Sequence, residues 1–472
     1  MSWIDDKGLG PAPWKYTGSQ GPEQWNFSKQ IAKRGYINNP YWTNDPASLN
    51  KHNPCGYWFD SPSTTVLVPI TYGRAYLFHS VAVDYANGVI YISAVSSSGR
   101  IIIAANLDMY VLSYGQNTEI GAASNIYAMS VLCNNGVAYC IGTNDVVFDG
   151  VYWLRDASAF KLVGLTLSKN IIRQDTPGGP YSRIYYPYFE RRLTIDNSGN
   201  LFCAYGTIDD GAYYIWCSRS LNGGSTWTQI YVAFGYSFIG DYPINIEHDL
   251  SNNLYIFHNL YKSGAGIVKL KFEKSIDGGL TWSTHVVTNP SQISTGHLTS
   301  CVSGNRLYVA TSEKTFTGSS NYMAYLHYSD DGGSTWTSNP IFETWDYTMY
   351  SVIAAYGSTV VYIPCFYDKT THVRKKEIWR TTNAGASWVK IGVLYPYVDS
   401  NYPTFYEPNP LYKHVTLAAD GPMFAFTTCG ASIAGSSQLA VLLSLDAGAT
   451  WTVKGLPIAN DALYEALMIQ SG

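Results

Sequence analysis

The sequence of 472 residues is short of charge: only 14% of its residues are Asp, Glu, Lys or Arg, whereas soluble proteins average about a quarter. The 30 basic and 34 acidic residues give a net charge of −4, so the basic excess typical of a nucleic-acid-binding protein is missing and no nucleic-acid partner is expected. No run of about 18 apolar residues occurs, so no membrane span is expected. The N-terminus, MSWIDDKGLGPAPWKY, lacks the basic start and apolar stretch of a signal peptide.

Cysteines with metal-binding or redox spacing are also lacking. The eight Cys residues show no C-x-x-C pattern, and most lie in apolar runs such as LFCAYG. We therefore predict free thiols buried in strands rather than a disulfide framework. A bond between Cys133 and Cys140 across a hairpin is the alternative for that pair.

Aromatic residues and glycine are abundant. The chain has 40 Tyr, 14 Trp and 42 Gly, and aromatics make up 15% of it. Aromatic residues favour strands and glycine favours tight turns, so the composition indicates an all-β protein. The hydrophobic fraction of 46% is enough to bury a large core and excludes a disordered chain.

One eight-residue motif, Ser/Thr-x-Asp/Asn-Gly/Ala-Gly-x-Ser/Thr-Trp, occurs five times, and its Trp residues are 52 to 63 positions apart. The five copies cover residues 220–227, 275–282, 329–336, 381–388 and 444–451. A period near 50 residues is typical of a β-propeller, with one four-stranded blade per repeat. In each copy the Asp or Asn is expected to cap a tight turn, the glycine to supply positive φ, and the Trp to begin a strand and fill the space between sheets.

This motif resembles the Asp box, or BNR repeat, of the sialidase-like propellers. The resemblance implies that each copy lies between the third and fourth strands of a blade, on the face opposite the active site. Seven alternating hairpins with NG-like turns extend the pattern, from HSVAVDYANGVIYISA to HVTLAADGPMFAFTT. We therefore predict a seven-bladed propeller within residues 71–472, with six blades as the alternative. Residues 1–70, rich in Trp and Pro, are predicted to form an extended arm that packs on the propeller or attaches it to a virion or to other copies.

Inner strands are expected to run down the central axis from the functional face. When the hairpins are aligned on their turn Gly (Asn253 in the fourth), the position seven residues earlier holds His297, Tyr350 and His414 in three successive blades. We predict that these three side chains converge on the funnel as catalytic residues, because His and Tyr are suited to proton transfer. His79, nine residues before its turn Gly, is predicted to bind substrate nearby. The alternative is that such residues only satisfy hydrogen bonds in a narrow channel.

A segment before the third blade, residues 181–187, carries Arg183 and Tyr186 and resembles the Arg-Ile-Pro motif of sialidases. In that family the Arg binds the substrate carboxylate, so the resemblance implies this role for Arg183, with Asp209 fitting the Asp one hairpin later. Tyr186 and Arg192 are predicted to assist in substrate binding. The displaced Pro and the missing later Arg residues depart from the family pattern and favour other chemistry over that of a true sialidase.

A basic loop, residues 368–377, is predicted between the second and third strands of the sixth blade, on the functional face. Arg374 in this loop, together with Lys262 in the fourth blade, is predicted to attract an anionic polymer. The alternative is an ordinary solvated loop. Glu247 and His248 on an inner strand are further candidates for substrate binding, and a metal site there would need ligands from other blades.

We therefore predict an enzyme that degrades an acidic, uronate-containing exopolysaccharide by β-elimination in the central funnel. A glycoside hydrolase with paired carboxylates and a non-catalytic glycan-binding propeller, such as a receptor-binding phage protein, are the alternatives. No cofactor is predicted, although a divalent metal stays open. The low charge, the aromatic arm and the absent signal peptide suit cytoplasmic synthesis followed by virion association or release by lysis.

Overall fold

The computed structural model confirms an all-β, seven-bladed propeller: seven antiparallel sheets follow one another along the chain. It describes residues 79–96, 99–107, 111–117, 126–148, 153–163, 166–174, 183–185, 192–209, 212–235, 244–261, 268–287, 293–294, 298–314, 322–345, 350–394, 404–405, 415–431 and 437–455. No helix in these segments is long and apolar enough to cross a membrane. The predicted N-terminal arm, residues 1–70, lies outside the described residues.

Blades 1 to 3 are built from three successive segments of the chain. Blade 1 contains β1 (His79–Asp84), β2 (Val89–Ser96), β3 (Gly99–Asn106) and β4 (Val111–Asn117). Blade 2 contains β5 (Ile126–Asn134), β6 (Val137–Phe148), β7 (Trp153–Val163) and β8 (Thr166–Gln174). Blade 3 contains β9 (Arg183–Tyr185), β10 (Leu193–Ile195), β11 (Leu201–Asp209), β12 (Ala212–Ser220) and β13 (Thr228–Gly235).

Blades 4 to 7 continue the same order. Blade 4 contains β14 (Ile244–His248), β15 (Leu254–Tyr261), β16 (Val268–Ser275) and β17 (Ser283–Val286). Blade 5 contains β18 (Ile293–Ser294), β19 (Thr299–Ser303), β20 (Arg306–Lys314), β21 (Tyr322–Ser329) and β22 (Thr337–Thr344). Blade 6 contains β23 (Tyr350–Tyr356), β24 (Thr359–Tyr367), β25 (Arg374–Thr381), β26 (Val389–Leu394) and β27 (Thr404–Phe405). Blade 7 contains β28 (Val415–Asp420), β29 (Met423–Ala431), β30 (Ser437–Ser444) and β31 (Thr452–Gly455).

Each blade is an antiparallel meander whose first strand is innermost, and in blade 6 the short β27 adds a parallel strand beside β26. In blades 3 and 5 the inner strand comes in two pieces, since β9 and β10 pair with different parts of β11, as β18 and β19 do with β20. The ring closes where blade 7 meets blade 1, and there the Tyr85 amide donates to Asp420 Oδ2 at 2.8 Å. Blades 1 and 7 each supply all four of their own strands, so closure of the ring leaves neither sheet incomplete.

The hydrophobic core lies between neighbouring blades, because alternate side chains of each strand point to opposite sheet faces. The junction of blades 4 and 5 is an example. Phe257 and Phe272 of blade 4 are fully buried against Leu307 and Val309 of blade 5, and Trp336 packs at the edge of this cluster. Aromatic rings thus fill the widening space between sheets, which accounts for part of the aromatic excess.

The five repeated motifs connect the third and fourth strands of blades 3 to 7, as predicted. In the copy in blade 5, the Ser329 hydroxyl accepts a hydrogen bond from the Gly333 amide at 2.8 Å, and Asp331 accepts from the Thr335 amide and hydroxyl. These hydrogen bonds from Thr335 lower the pKa of Asp331 to about 2. Trp336 Nε1 donates back to the Gly333 carbonyl at 3.1 Å, so the turn is closed at both ends.

A second set of hydrogen bonds ties four of these motifs to the preceding blade. In each, a side chain donates to the carbonyl of the motif's fourth residue, which has positive φ. The four bonds run from Arg219 to Gly278 (3.2 Å), from Lys274 to Gly332 (2.9 Å), from Asn339 to Ala384 (3.3 Å) and from Arg380 to Ala447 (2.8 Å). We call these four contacts the interblade latches.

The six cysteines whose side chains the structure describes are free, as predicted: Cys133, Cys140, Cys203, Cys217, Cys301 and Cys365. Cys133 donates to the Val83 carbonyl of blade 1 at 3.1 Å, and Cys140 lies 3.1 Å from the Ser93 hydroxyl. Both cysteines therefore contact blade 1 rather than each other. Burial raises the pKa of the Cys133 thiol well above its usual range.

Candidate functional site

The central axis holds a cavity of about 560 Å³ whose wall is formed by the inner strands of all seven blades. One wall residue per blade, in order, is Ser80, Ser130, Thr194, Glu247, Thr299, Val352 and Thr416. The cavity reaches the hairpin-turn end of the axis, where Asp84, Asn134 and Asp420 also line it. The inner strands thus place hydroxyls, an imidazole and carboxylates around a narrow apolar-backed channel.

Hydrogen bonds between neighbouring inner strands fix this wall. The bonds are Val131 N to Ser80 Oγ (3.0 Å), Arg192 N to Ser130 Oγ (3.3 Å), Thr194 Oγ1 with His248 Nδ1 (2.8 Å) and Ser300 Oγ to Glu247 Oε1 (3.2 Å). They join blades 1 to 5 in sequence. A wall held by side-chain bonds from both sides is preorganised, which is what a binding or catalytic channel needs.

Glu247 and His248, both predicted from the sequence, line this cavity. Burial lowers the pKa of His248 below its usual 6.5, although Asp196 and Asp249 act in the opposite direction. The imidazole is therefore mainly neutral at pH 7 and can accept a proton. Its neighbour Asp249 instead caps the following turn, where it accepts from the Ser251 and Asn253 amides.

The turn end of the cavity is acidic. Asp84 accepts from the Asn87 amide and side chain, and Asp420 accepts from the Tyr85 amide across the ring closure. Neither Lys nor Arg is among the described residues of the wall. A polyanion would be repelled here, so an acidic glycan would have to approach from the opposite face.

The two predicted arginines of blade 3 have different environments. Arg183 begins β9 and pairs with Ile208 near the end of β11, so its backbone lies at the functional-face end of the inner layer. Arg192 is only 1% exposed, and its amide bonds to Ser130. A substrate carboxylate could reach the guanidinium of Arg192 only if the structure opened around it.

Tyr350 begins the inner strand of blade 6, opposite Cys365 and two residues above Val352 of the cavity wall. Among blades 5 to 7, the inner hairpins share a two-residue turn that starts with Gly. Within the described inner strands, which begin at Thr299, Tyr350 and Val415, residues at equal distance before these turns are therefore at equal height. The partner predictions His297 and His414 lie outside the described residues, as do Tyr186 and Lys262, and only the backbone of His79, at the start of β1, is described.

The same alignment does not hold for blades 1 to 4. The β1–β2 turn spans residues 85–88, the β5–β6 turn spans only Asn135 and Gly136, and the turns of blades 3 and 4 are five-residue loops capped by Asp196 and Asp249. Counting back from the turn residue therefore gives a different height in each of these blades. Counting from the turn thus gives matching positions only within the described inner strands of blades 5 to 7.

Arg374, predicted in the basic loop, begins β25 and is half-buried. Its Nη2 donates to the Tyr367 hydroxyl at 2.8 Å, and its guanidinium lies over the Tyr367 ring. Lys375, the next residue of β25, donates to Asp368 at 2.7 Å, and Lys369 pairs with Glu343. The loop itself is therefore shorter than predicted and spans residues 368–373, of which 369–373 are exposed.

Two buried His–Glu pairs were not predicted. His258 Nε2 lies 3.1 Å from Glu273 in blade 4, and His327 Nε2 lies 2.9 Å from Glu313 in blade 5, with all four side chains nearly inaccessible. The partners of each pair are 15 and 14 residues apart, so only the strand register reveals them. They lie within the sheets rather than in the axial wall, and among the described residues no three His, Cys, Asp or Glu side chains form a metal site.

No known protein family and no curated protein matches the sequence. Among solved structures, polysaccharide lyase Uly1 is similar over 82% of this chain and 95% of its own, with 10% identity and a TM-score of 0.49. An ulvan lyase is similar over 86% and 99%, with 10% identity and a TM-score of 0.47. An α-L-arabinofuranosidase from Fusarium graminearum is similar over 67% and 92%, with 17% identity and a TM-score of 0.41.

Proposed function

We propose that this propeller degrades an acidic, uronate-containing polysaccharide by β-elimination at the functional-face end of its axis. The observation that carries the proposal is the common two-residue turn of blades 5 to 7. Seven residues before these turns the sequence has His297, Tyr350 and His414. We propose that the three side chains meet at one level of the axis and transfer protons there.

The chemistry assigns one role to each residue type. β-Elimination removes the C5 proton of the uronate, breaks the C4–O bond, forms a C4–C5 double bond and returns a proton to the leaving oxygen. His297, His414 and Tyr350 between them provide the base that takes the C5 proton and the acid that returns a proton to the leaving oxygen. Arg183 neutralises the uronate carboxylate so that the C5 proton becomes acidic. The neutral His248 imidazole, held by Thr194, lies deeper in the same channel.

The distribution of the few charged residues around the axis supports this proposal. Because the turn end of the axis is acidic, the anionic substrate is bound from the other face, where Arg183 begins its strand and Arg374 begins β25. Lys262 and Tyr186 are further proposed contacts, whereas the buried Arg192 is not one of them. We also propose that the five motifs are Asp boxes of the sialidase-like superfamily, and that the protein is a phage-borne depolymerase whose residues 1–70 attach it to a virion.

One assay tests this function. Purified protein is incubated with polygalacturonate, alginate and hyaluronan, while absorbance of the unsaturated uronate and new reducing ends are followed together. We expect both signals to grow, and the variants His297→Ala and His414→Ala to lose them. His285→Ala, on an outer strand of blade 4, is the matched control and should keep the wild-type rate.

A hydrolase is the second candidate, because Glu247 is a buried carboxylate of the axial wall. A hydrolase would give reducing ends without absorbance, and Glu247→Gln would then abolish them. Binding without either signal would identify a glycan-binding propeller and refute the enzyme. Wild-type rates in both His variants would refute the proposed catalytic residues.

A further inference from the structure

An aromatic cluster stands at the outer rim of the functional face, where blade 5 meets blade 6. Trp345 follows the outermost strand of blade 5, and its ring stacks on the His372 imidazole with centroids 4.1 Å apart and planes 20° apart. Tyr367, at the end of β24, meets Trp345 edge-on at 6.4 Å. We call Trp345, Tyr367 and His372 the rim platform.

The platform is solvent-accessible. Trp345 is 39% exposed and His372 is exposed as well. A large aromatic residue held open to water forgoes the stabilisation that its burial would bring. Exposed Trp residues on an ordered surface are typical of binding sites, because they offer large contact area with little entropy to lose.

The backbone under the platform is held in place by many contacts. The Trp345 amide donates to the Tyr367 carbonyl at 3.1 Å, and Thr344 forms a bridge with Asp368, which clips blade 5 to blade 6. Asp368 accepts from the Thr371 amide at 2.8 Å and from Lys375. Although burial opposes the effect, these hydrogen bonds lower the pKa of Asp368 well below its usual range.

His372 itself is strained, since its φ is +54°. Non-glycine residues seldom adopt this conformation, and Asn, Asp and His are the ones most often found in it. The His372 amide bonds to the Asp368 carbonyl at 2.9 Å, which keeps the residue in this conformation. The turn thereby holds the imidazole against the exposed indole of Trp345.

We infer that the rim platform is a sugar-stacking subsite that holds the glycan chain outside the central funnel. The apolar C–H face of one pyranose ring would lie on the exposed surface of the Trp345–His372 pair. Arg374 donates to the Tyr367 hydroxyl and so keeps this ring of the platform in place. The inference rests on the proposed function in that the ligand is the same polysaccharide.

The position of the rim platform suits a glycan chain that enters the funnel. The platform follows the fourth strand of one blade and the second strand of the next, so it faces the same side as the start of each inner strand. A chain that enters the funnel must cross such a rim. A subsite there would increase affinity for long chains without touching the bond that is cleaved.

The test compares a polymer with a short oligosaccharide. Trp345→Ala should raise the KM for polygalacturonate roughly tenfold with kcat unchanged, since anchor aromatics typically contribute at this level. It should leave the KM for a short oligosaccharide substrate, tetragalacturonate, unchanged. The control is Tyr356→Ala, which removes an aromatic ring that is 49% exposed in a hairpin turn on the opposite face. The control should behave as wild type.

A second variant separates binding from folding. His372→Gly removes both the strain and the stacked ring, so it should unfold no earlier than wild type and yet weaken polymer binding in affinity electrophoresis through polygalacturonate gels. Unchanged polymer KM and mobility in both variants would overturn the subsite while leaving the proposed function intact. A wild-type protein that neither binds nor cleaves any of the polymers would overturn both. Loss of a dimer on Trp345→Ala would assign the platform to an interface between copies and overturn the subsite as well.

Discussion

The fifth residue of the repeated motif is glycine in every copy, and Gly333→Ala tests why. Gly333 has φ +89°, and a Cβ atom on it would lie 2.4 Å from Phe272 Cζ. Phe272 cannot move aside easily, because it is fully buried against Phe257 and Trp336, with ring centroids 5.5 and 5.8 Å away. The substitution therefore adds a steric clash in the core to the cost of positive φ.

The matched control is Gly278→Ala, at the fourth position of another copy. Gly278 also has positive φ, +68°, but a Cβ there meets nothing within 4 Å. Two copies carry alanine at this position already, namely Ala384 and Ala447, with φ values of 54° and 55°. Only the backbone term, about 1 kcal/mol, should be lost in Gly278→Ala.

Gly333→Ala should lose the same backbone term and in addition about 1–3 kcal/mol for overpacking. We therefore expect about 2–4 kcal/mol of destabilisation against about 1 kcal/mol for the control. Urea unfolding measures both, provided that the m-value stays constant between variants. Equal losses in the two variants would refute the reasoning, since they would show that the Phe272 cluster yields to an extra methyl group.

Three further variants test the structure. Lys274→Met removes the latch to Gly332 and should cost about 1 kcal/mol in urea unfolding; an unchanged midpoint would show that the latch contributes nothing. Glu313→Ala leaves the buried His327 without its carboxylate partner and should cost about 1–3 kcal/mol, as for a buried polar group that loses its partner, and a wild-type urea midpoint would contradict this. The depressed pKa of Asp331 contributes stability that is present above its unfolded pKa near 3.8 and is lost as the pH falls toward about 2. Asp331→Asn should therefore make the stability of the protein less dependent on pH in that window. An acid transition identical to that of the wild type would contradict the assignment.

The blade count could be predicted from the sequence because a propeller repeats one physical solution. The Trp of each motif and the glycine of each hairpin turn are required locally, so they recur at regular distances and can be counted. The residues of each repeat are constrained by their own turn, and a turn is formed by consecutive residues, so it can be recognised in the sequence. The position of the motifs between third and fourth strands was instead implied by their resemblance to the Asp box.

The site could be predicted only in part, because its residues come from different blades. Glu247 and His248 were found from their place on an inner strand, and both lie in the axial wall. The alignment by turn residue holds among blades 5 to 7 and fails in blades 1 to 4, since their turns differ in length. The pairs His258–Glu273 and His327–Glu313 depend on cross-strand register, which cannot be recognised from a single sequence.

The scarcity of charge has a structural meaning that the composition alone does not reveal. Arg219, Lys274 and Arg380 each donate to a carbonyl in the next blade, and Arg306 pairs with Asp330 in the motif of its own blade. All four lie toward the motif face, so these cations serve the architecture. Of the 30 basic residues of the chain, these four are not available to the opposite rim, and an anionic substrate bound there would depend more strongly on each of the others. Replacing any one should then weaken binding more than it would on a highly charged surface, where neighbouring cations compensate.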